Sequence, residues 1–440
     1  MRRVLCVAGL SVVALSLTGV AQAQEPPALR LTLDEAQERA VRNSHRLAEA
    51  RARESMARAG VDARAAMDRP SVSASAGYTR TNHVVEFSFP GPGGVPRVVY
   101  PDVPDNLLSR IDLQWPIYSG GRTDALERAA RADADAAREE VGIARADLRL
   151  EVARAYWAVV TARAAVAVLD QAVTRAESHV GDVRQRFEAG LVAPNETASA
   201  DAQLARTRML LIEARNQRAA SLAELERLVG GDSRTPFEPG SSLEDGLAAT
   251  APGPADGHAD RQALLSRVAS AEQLRAAAAG TRRPTVAVVG GVDYARPNPK
   301  IFPRADRADE AWDVGVRVTW SLWDGGRAAA DVAQATAATL AAHERLAEFE
   351  SRRQLDVRVR ELEIESGRAA VDAATAGIRA AIEARRVVTE RYRAGVIAQG
   401  EVLDAELALM QAELDRTRAL AGVRLAEARL MRVRGRDGVN

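Results

Sequence analysis

One register runs twice through this chain and restricts what it can fold into. Trp312, Val314, Val316, Val318, Trp320 and Leu322 are apolar, and Asp313, Gly315, Arg317, Thr319 and Ser321 between them are small or polar. Alternation with a period of two predicts a strand with one oily and one wet face. The segment continues through Trp323-Asp324-Gly325-Gly326-Arg327 into Ala/Arg/Glu-rich sequence of helical character. The same passage lies 205 residues earlier (320 minus 115), where Ile111, Leu113, Trp115 and Ile117 alternate with Asp112, Gln114 and Pro116. Tyr118-Ser119-Gly120-Gly121-Arg122 then leads into another such helix. The chain is a tandem duplication, and the strand-to-helix junction is its register mark.

Met1-Arg2-Arg3, an apolar run from Val4 to Val20 and Ala21-Gln22-Ala23 make a Sec-type signal peptide cut after Ala23. A membrane anchor is the weaker reading, because the run is short and ends in a cleavage pattern. Cys6, the only cysteine, lies inside that signal, so the mature chain is expected to work outside the cytoplasm without disulfide, thiolate or lipid-accepting cysteine. No later segment is expected to reach the length and apolarity of a membrane helix. Basic and acidic residues balance at 60 each, which argues against nucleic acid as partner.

Thr32, with Glu35 three residues on, opens a helix predicted to run from Leu33 to Asp68. Strands follow at Ser71–Tyr78 and Arg110–Tyr118, separated by a long loop at Thr81–Asn106. From Thr123 to about Glu188 the pattern is helical and free of proline, with Val152, Val159, Val166, Val173, Val180 and Phe187 seven residues apart. Ala155, Ala162, Leu169, Ala176 and Val183 fill the offset of three, giving a supercoiled rod of roughly 100 Å. Gly190 and Pro194 mark its reversal, and Asn195 or Thr197 is the expected cap of the returning helix. The second half repeats the order, with a helix at Arg261–Ala279, strands at Thr285–Tyr294 and Trp312–Trp323, a loop at Ala295–Ala311, a rod from Ala328 and a reversal at Arg391–Val396. The divisions are residues 1–23 signal peptide, 24–231 first repeat, 232–260 linker and 261–440 second repeat.

Four strands with one oily face cannot close a barrel alone, and open edges are not tolerated in lipid. Copies of the chain must supply the rest. Strands of about ten residues suit a tilted transmembrane barrel. The oily set, Ile111, Leu113, Trp115, Ile117, Val314, Val316, Val318, Trp320 and Leu322, is expected to face lipid, with aromatic residues girdling its ends. A soluble β-sandwich is the rival, weakened by having only two distant strand pairs.

The duplicated order, the pair Trp115–Arg122 and Trp320–Arg327, the reversals Arg186-Phe187-Glu188-Ala189-Gly190-Leu191 and Arg391-Tyr392-Arg393-Ala394-Gly395-Val396, and the turn Glu401–Ala405 together resemble the outer membrane efflux protein (TolC-like) family over essentially the whole mature chain. The resemblance implies a mostly α fold with a membrane β-barrel. It implies a homotrimer whose twelve strands close in the outer membrane of a Gram-negative bacterium and whose twelve helices form a periplasmic tunnel. Its expected partners are a periplasmic adaptor and an inner-membrane pump, and its function a passive exit duct for efflux or type I secretion.

Glu401 and Asp404, spaced i and i+3, share a helix face, and in three copies they make stacked carboxylate rings at a pore constriction. A solvated helix start, where acids also suit the dipole, is the simpler reading. Glu196 and Tyr392 face one another across the reversals. The resemblance implies a closing contact of tyrosine and arginine on that acid, but Ile397 stands where the arginine aligns. Gly190, Leu191, Gly395 and Val396 resemble the tip turns that adaptors grip, although helix termination accounts for the glycines equally well. Gly120-Gly121 and Gly325-Gly326 lack a phosphate-cradle pattern. The five histidines are scattered without metal-ligand spacing, and no nucleophile elbow or metalloprotease motif occurs, so neither enzyme activity nor a cofactor or metal is expected. A periplasmic adaptor would carry one hairpin between β-rich halves, and a structural coiled coil leaves the oily strands unexplained. The two long loops, including Lys300, the only lysine, are expected to face outward.

Overall fold

The computed structural model describes residues 29–230, 237–245 and 258–435. The signal peptide and most of the linker lie outside them. In chain order the elements are β1 (Leu29–Leu31), α1 (Leu33–Asn43), α2 (His45–Ala65), β2 (Ser71–Arg80), β3 (Phe87–Pro90), β4 (Pro96–Tyr100), β5 (Asp105–Tyr118), α3 (Arg122–Glu188) and α4 (Pro194–Val229). The second half adds β6 (Phe237–Pro239), α5 (Ala259–Gly280), β7 (Thr285–Arg296), β8 (Asp309–Thr319), α6 (Arg327–Arg393) and α7 (Gln399–Arg434).

The rods obey the duplication. α3 and α6 are 67 residues each and α4 and α7 are 36 each, so all four boundaries keep the 205-residue offset seen in the sequence. α3 is the centre of the protomer, packed by α4, α2, α5 and α7, whereas α6 touches α7 and α5. The heptad valines Val152, Val159, Val173 and Val180 are buried as the seam requires, while Phe187, at the tip, is exposed. Midway along the rods, Tyr156 is fully buried. Its hydroxyl donates to the Leu31 carbonyl (3.0 Å) and accepts from the Ser241 amide (3.1 Å), tying the chain start and the linker to α3. α3 also contains an 18-residue stretch apolar enough to cross a membrane, contrary to expectation. Half of that stretch is buried inside the protomer, and its hydropathy comes from the alanines and valines of the packed core.

Several predicted boundaries move, each for a local reason. The first helix divides at Ser44, whose extended backbone lets its hydroxyl accept from the Leu47 amide (3.3 Å) and start a new helix. Thr32 and Glu35 do form the reciprocal capping box upstream. The loop Thr81–Asn106 contains the β3–β4 hairpin, turned by Gly93 and Gly94 in the left-handed region. Neither Asn195 nor Thr197 caps α4; Pro194 opens it after Ala193, and the Thr197 hydroxyl donates to the Pro194 carbonyl (2.7 Å). The linker is not wholly irregular, since β6 pairs in parallel with β1. Strand β8 stops at Thr319, which removes Trp320 and Leu322 from the sheet. There the Asp324 carboxylate accepts from the Gly326 (3.0 Å) and Ala328 (2.8 Å) amides and turns the chain into α6, while Trp320 Nε1 donates to the Arg282 carbonyl (3.1 Å).

The four long strands form one antiparallel sheet in the order β2-β5-β7-β8, with β2 and β8 as open edges. Cross-strand rows run Ala74–Ile111–Val292–Trp312 and Val72–Leu113–Gly290–Val314 on one face. The opposite face carries the rows Ser73–Asp112–Gly291–Asp313 and Ser75–Arg110–Asp293–Ala311.

Candidate functional site

Two regions carry functional chemistry: the sheet at one end of the rods and the pair of reversals at the other. On the sheet, Ile111, Leu113, Trp115, Ile117, Val314, Val316 and Val318 are all exposed on one face, as alternation predicts. A bulge between Pro116 and Tyr118 takes Ile117 out of the ladder, and Trp320 and Leu322 are exposed just beyond it. Trp115 and Tyr118 lie at the helix end of this face, with Trp320 and Trp323 exposed in the segment that follows β8, and Tyr78, Tyr294 and Trp312 lie toward the far end. An apolar band between two aromatic belts matches a bilayer core between its interfaces.

The other face is charged, which alternation predicts only as polar. Arg110 on β5 donates to Asp112 (2.6 Å) and Asp293 (2.6 Å) and reaches Asp313 (3.4 Å). Lys300 comes back from the β7–β8 loop to pair with Asp293 and Asp313.

At the tip, Gly190 and Gly395 adopt the left-handed conformation (φ 70° and 72°) that ends each rod, and Leu191 and Val396 stand exposed beside them. The Leu191 amide donates to Arg186 O and the Val396 amide to Arg391 O (2.9 and 3.0 Å), so the two reversals are closed by equivalent bonds.

Tyr392 and Glu196 are brought together: the Tyr392 hydroxyl donates to Glu196 Oε2 at 3.4 Å, a long bond. Tyr392 is only 5% exposed, so it is wedged between hairpins and does not line an open surface. No arginine stands at Ile397, and the arginine that meets Tyr392 comes from the first hairpin. The Arg186 guanidinium lies 4.6 Å from the centre of the Tyr392 ring and donates to the carbonyls of Tyr392 (3.0 Å) and Arg393 (3.1 Å). Burial, with the nearby Glu196 charge, raises the Tyr392 phenol above its ordinary range and keeps it a donor.

His179 completes this contact, its ring 5.8 Å from that of Tyr392 and its Nε2 3.4 Å from Gln399 Nε2. Burial lowers His179 below the ordinary histidine range; Asp182 and Glu196 oppose that and Arg186 adds to it. Further up, Arg175 on α3 pairs with Glu406 (3.3 Å) and Glu413 (3.0 Å) of α7, and Arg385 on α6 also reaches Glu406 (3.4 Å). Glu401 and Asp404 are not part of this network. Both are exposed, and among the described residues neither side chain forms an ion pair or hydrogen bond. Arg186 lies inside a motif that the sequence repeats, yet its contact partner is 206 residues away and no spacing reveals it. Among the described residues no three His, Cys, Asp or Glu side chains gather as a metal site.

Two paired-helix hairpins fused to a sheet with an oily outer face define a membrane-embedded helical conduit protein. The chain belongs to the outer membrane efflux protein family, whose model matches residues 36–231 and 258–436. It lies in the outer membrane and extends into the periplasm. The fold is shared with a membrane protein from Pseudomonas aeruginosa (TM-score 0.79, 21% identity, 93% of this chain and 91% of that one). It is shared equally with the outer membrane protein VceC of Vibrio cholerae (TM-score 0.76, 20% identity, 92% and 96%) and with CusC (TM-score 0.79, 15% identity, 93% of each). In sequence, a stretch of 134 residues is 33% identical to protein CyaE of Bordetella pertussis, spanning 30% of this chain but only 28% of that relative's length.

Proposed function

We propose that three copies of this chain form a passive exit duct of a tripartite efflux or type I secretion system. The observation that carries this is the four-stranded sheet with an oily outer face, a charged inner face and two unpaired edges. An open edge in lipid leaves backbone groups without partners, and edge-to-edge closure of β8 on the next copy's β2 satisfies them. Three copies give twelve strands (three times four) and, from four rods each, a twelve-helix tunnel. Energy comes from an inner-membrane pump, with a periplasmic adaptor gripping the reversals at Gly190, Leu191, Gly395 and Val396. The names of the fold relatives CmeC and MtrE, both outer membrane channels, support the same reading.

The constriction lies at the tip. Tyr392 and Glu196, clamped by Arg186, hold the second hairpin against the first. The unpaired carboxylates of Glu401 and Asp404 face the lumen as rings that favour cations. Single-channel recording of the purified protein in a planar bilayer tests this. The wild type is expected to give a small, cation-selective conductance, and Glu401→Ala/Asp404→Ala a larger and less selective one. Conductance indifferent to the double substitution removes the acid pair from the constriction. No conductance from wild type or tip-loosened variants refutes the duct.

A further inference from the structure

The β7–β8 connection is a twelve-residue loop, 297–308, between adjacent antiparallel strands, and it does not project from the sheet. Lys300 reaches Asp293 and Asp313, which lie three and four residues inside the ends of β7 and β8. At a strand rise of about 3.3 Å per residue, the Lys300 ammonium therefore lies roughly 10 Å inside the strand ends, over the charged face, reached jointly by the turn of the loop and the length of the lysine stem. The fold-back is built in. Asn298 is 2% exposed, its Nδ2 donates to the Asp309 carbonyl (2.9 Å), and its Oδ1 accepts from the Lys300 amide (2.9 Å). Asp293, 3% exposed, is held from the other side by Arg110. Arg304 of the same loop donates to the Tyr100 hydroxyl (2.8 Å), so the β3–β4 hairpin backs the loop as well.

A surface ion pair alone holds little. This one differs because its acid is buried, and withdrawing the lysine leaves that carboxylate with one cation in place of two. We propose that loop 297–308 is a strap across the external mouth of the channel, drawn inward by Lys300 on Asp293 and Asp313, and that it forms a second constriction independent of the periplasmic tip. This rests on the duct reading, in which the charged face lines the lumen. It also gives the mouth a charge logic. Asp112, Asp293 and Asp313 stand against Arg110 and Lys300, so losing the lysine raises the excess of acid from one to two in each copy.

Two measurements test the strap. Lys300 is the only side-chain amine in the chain, so acylation followed by peptide mass analysis reports its accessibility directly. In the detergent-solubilised protein, Lys300 is expected to acylate slowly in wild type and faster in Asp293→Asn and Asp313→Asn; equal rates in all three overturn the tether. Conductance is then compared for Lys300→Met, which keeps the apolar stem, with and without Arg186→Ala to loosen the tip. Larger conductance and a reversal potential shifted toward the cation limit are expected, and unchanged values in the loosened background overturn the constriction. Absence of current in every protein refutes the duct reading and the constriction with it, while the acylation rates still decide the tether.

Discussion

Arg186 is the residue whose loss should open the tip most. It carries two hydrogen bonds to carbonyls of the opposite hairpin and a ring contact with Tyr392. At a half-buried position each charged hydrogen bond contributes about 1–1.5 kcal/mol and the cation–π contact about 0.5–1 kcal/mol. Arg186→Ala therefore weakens the clamp by roughly 3 kcal/mol per protomer, on the order of a hundredfold in the local equilibrium. Tyr392→Phe removes only the bond to Glu196, stretched to 3.4 Å, and keeps the ring under Arg186. Its effect is about 1 kcal/mol, roughly fivefold. Arg186→Lys keeps the charge but loses the planar fork that spans two carbonyls, and falls between them. The assay is the open-channel fraction in planar bilayers, with circular dichroism to establish that each variant is folded. If Tyr392→Phe opens the channel as fully as Arg186→Ala, or if Arg186→Ala behaves as wild type, the clamp is misassigned.

Acid should loosen the same contact. Burial and Arg186 set His179 below its unfolded value near 6.5, so the folded tip binds fewer protons than the unfolded chain. The neutral ring's contribution is whole above about pH 6.5 and declines as pH falls toward the folded value, so opening should rise on acidification, and His179→Gln should remove that part of the response. At the strand-to-rod junctions the two repeats should differ. Gly120 and Gly325 both have positive φ, and alanine there costs about 1 kcal/mol, but a Cβ on Gly120 also meets Gly280 O at 2.7 Å and Arg283 Cβ at 2.8 Å while one on Gly325 meets nothing within 4 Å. Gly120→Ala should lower the melting temperature clearly more than Gly325→Ala; equal shifts would show that close packing of α5 on the junction carries no weight.

How much of this was written in the sequence depends on the range of the interaction. Period-two alternation placed all four strands, and the 205-residue offset fixed both rods and both reversals, because these are local patterns repeated in register. Ser44 shows where local reading fails: a serine inside a helical pattern either caps or is carried along, and only the packing of α2 on α3 decides. The charged face is legible as polar, but the pairing of Lys300 with Asp293 and Asp313 is not, because it forms only once β7 and β8 lie side by side. Arg186 stands inside a repeated motif that does not disclose its contact, for the same reason. Nothing near it in sequence names Tyr392, whose carbonyl and ring it meets from the other hairpin.

The two rods share length and register but not surroundings. α3 buries nineteen residues within the protomer and α6 buries only Thr339 and Tyr392, so α6 is an edge. An edge left to water should be charged, as α3 is at Asp135, Glu177 and Asp182. At the positions 205 residues later α6 carries Leu340, Ile382 and Val387, all exposed, with Leu355 and Leu362 between them. The duplication thus exchanged acid for aliphatic where the second rod has no neighbour of its own. α4 forms the opposite edge of the helical layer, and it exposes Met209 and Ile212. The strands repeat the arrangement, with β8 unpaired on the side of α6 and β2 on the other. In the trimer proposed above, one rotation of a second copy would cover the apolar stripe of α6 and complete the ladder of β8 together, so the helical and strand edges would pose a single packing problem with a single closed solution.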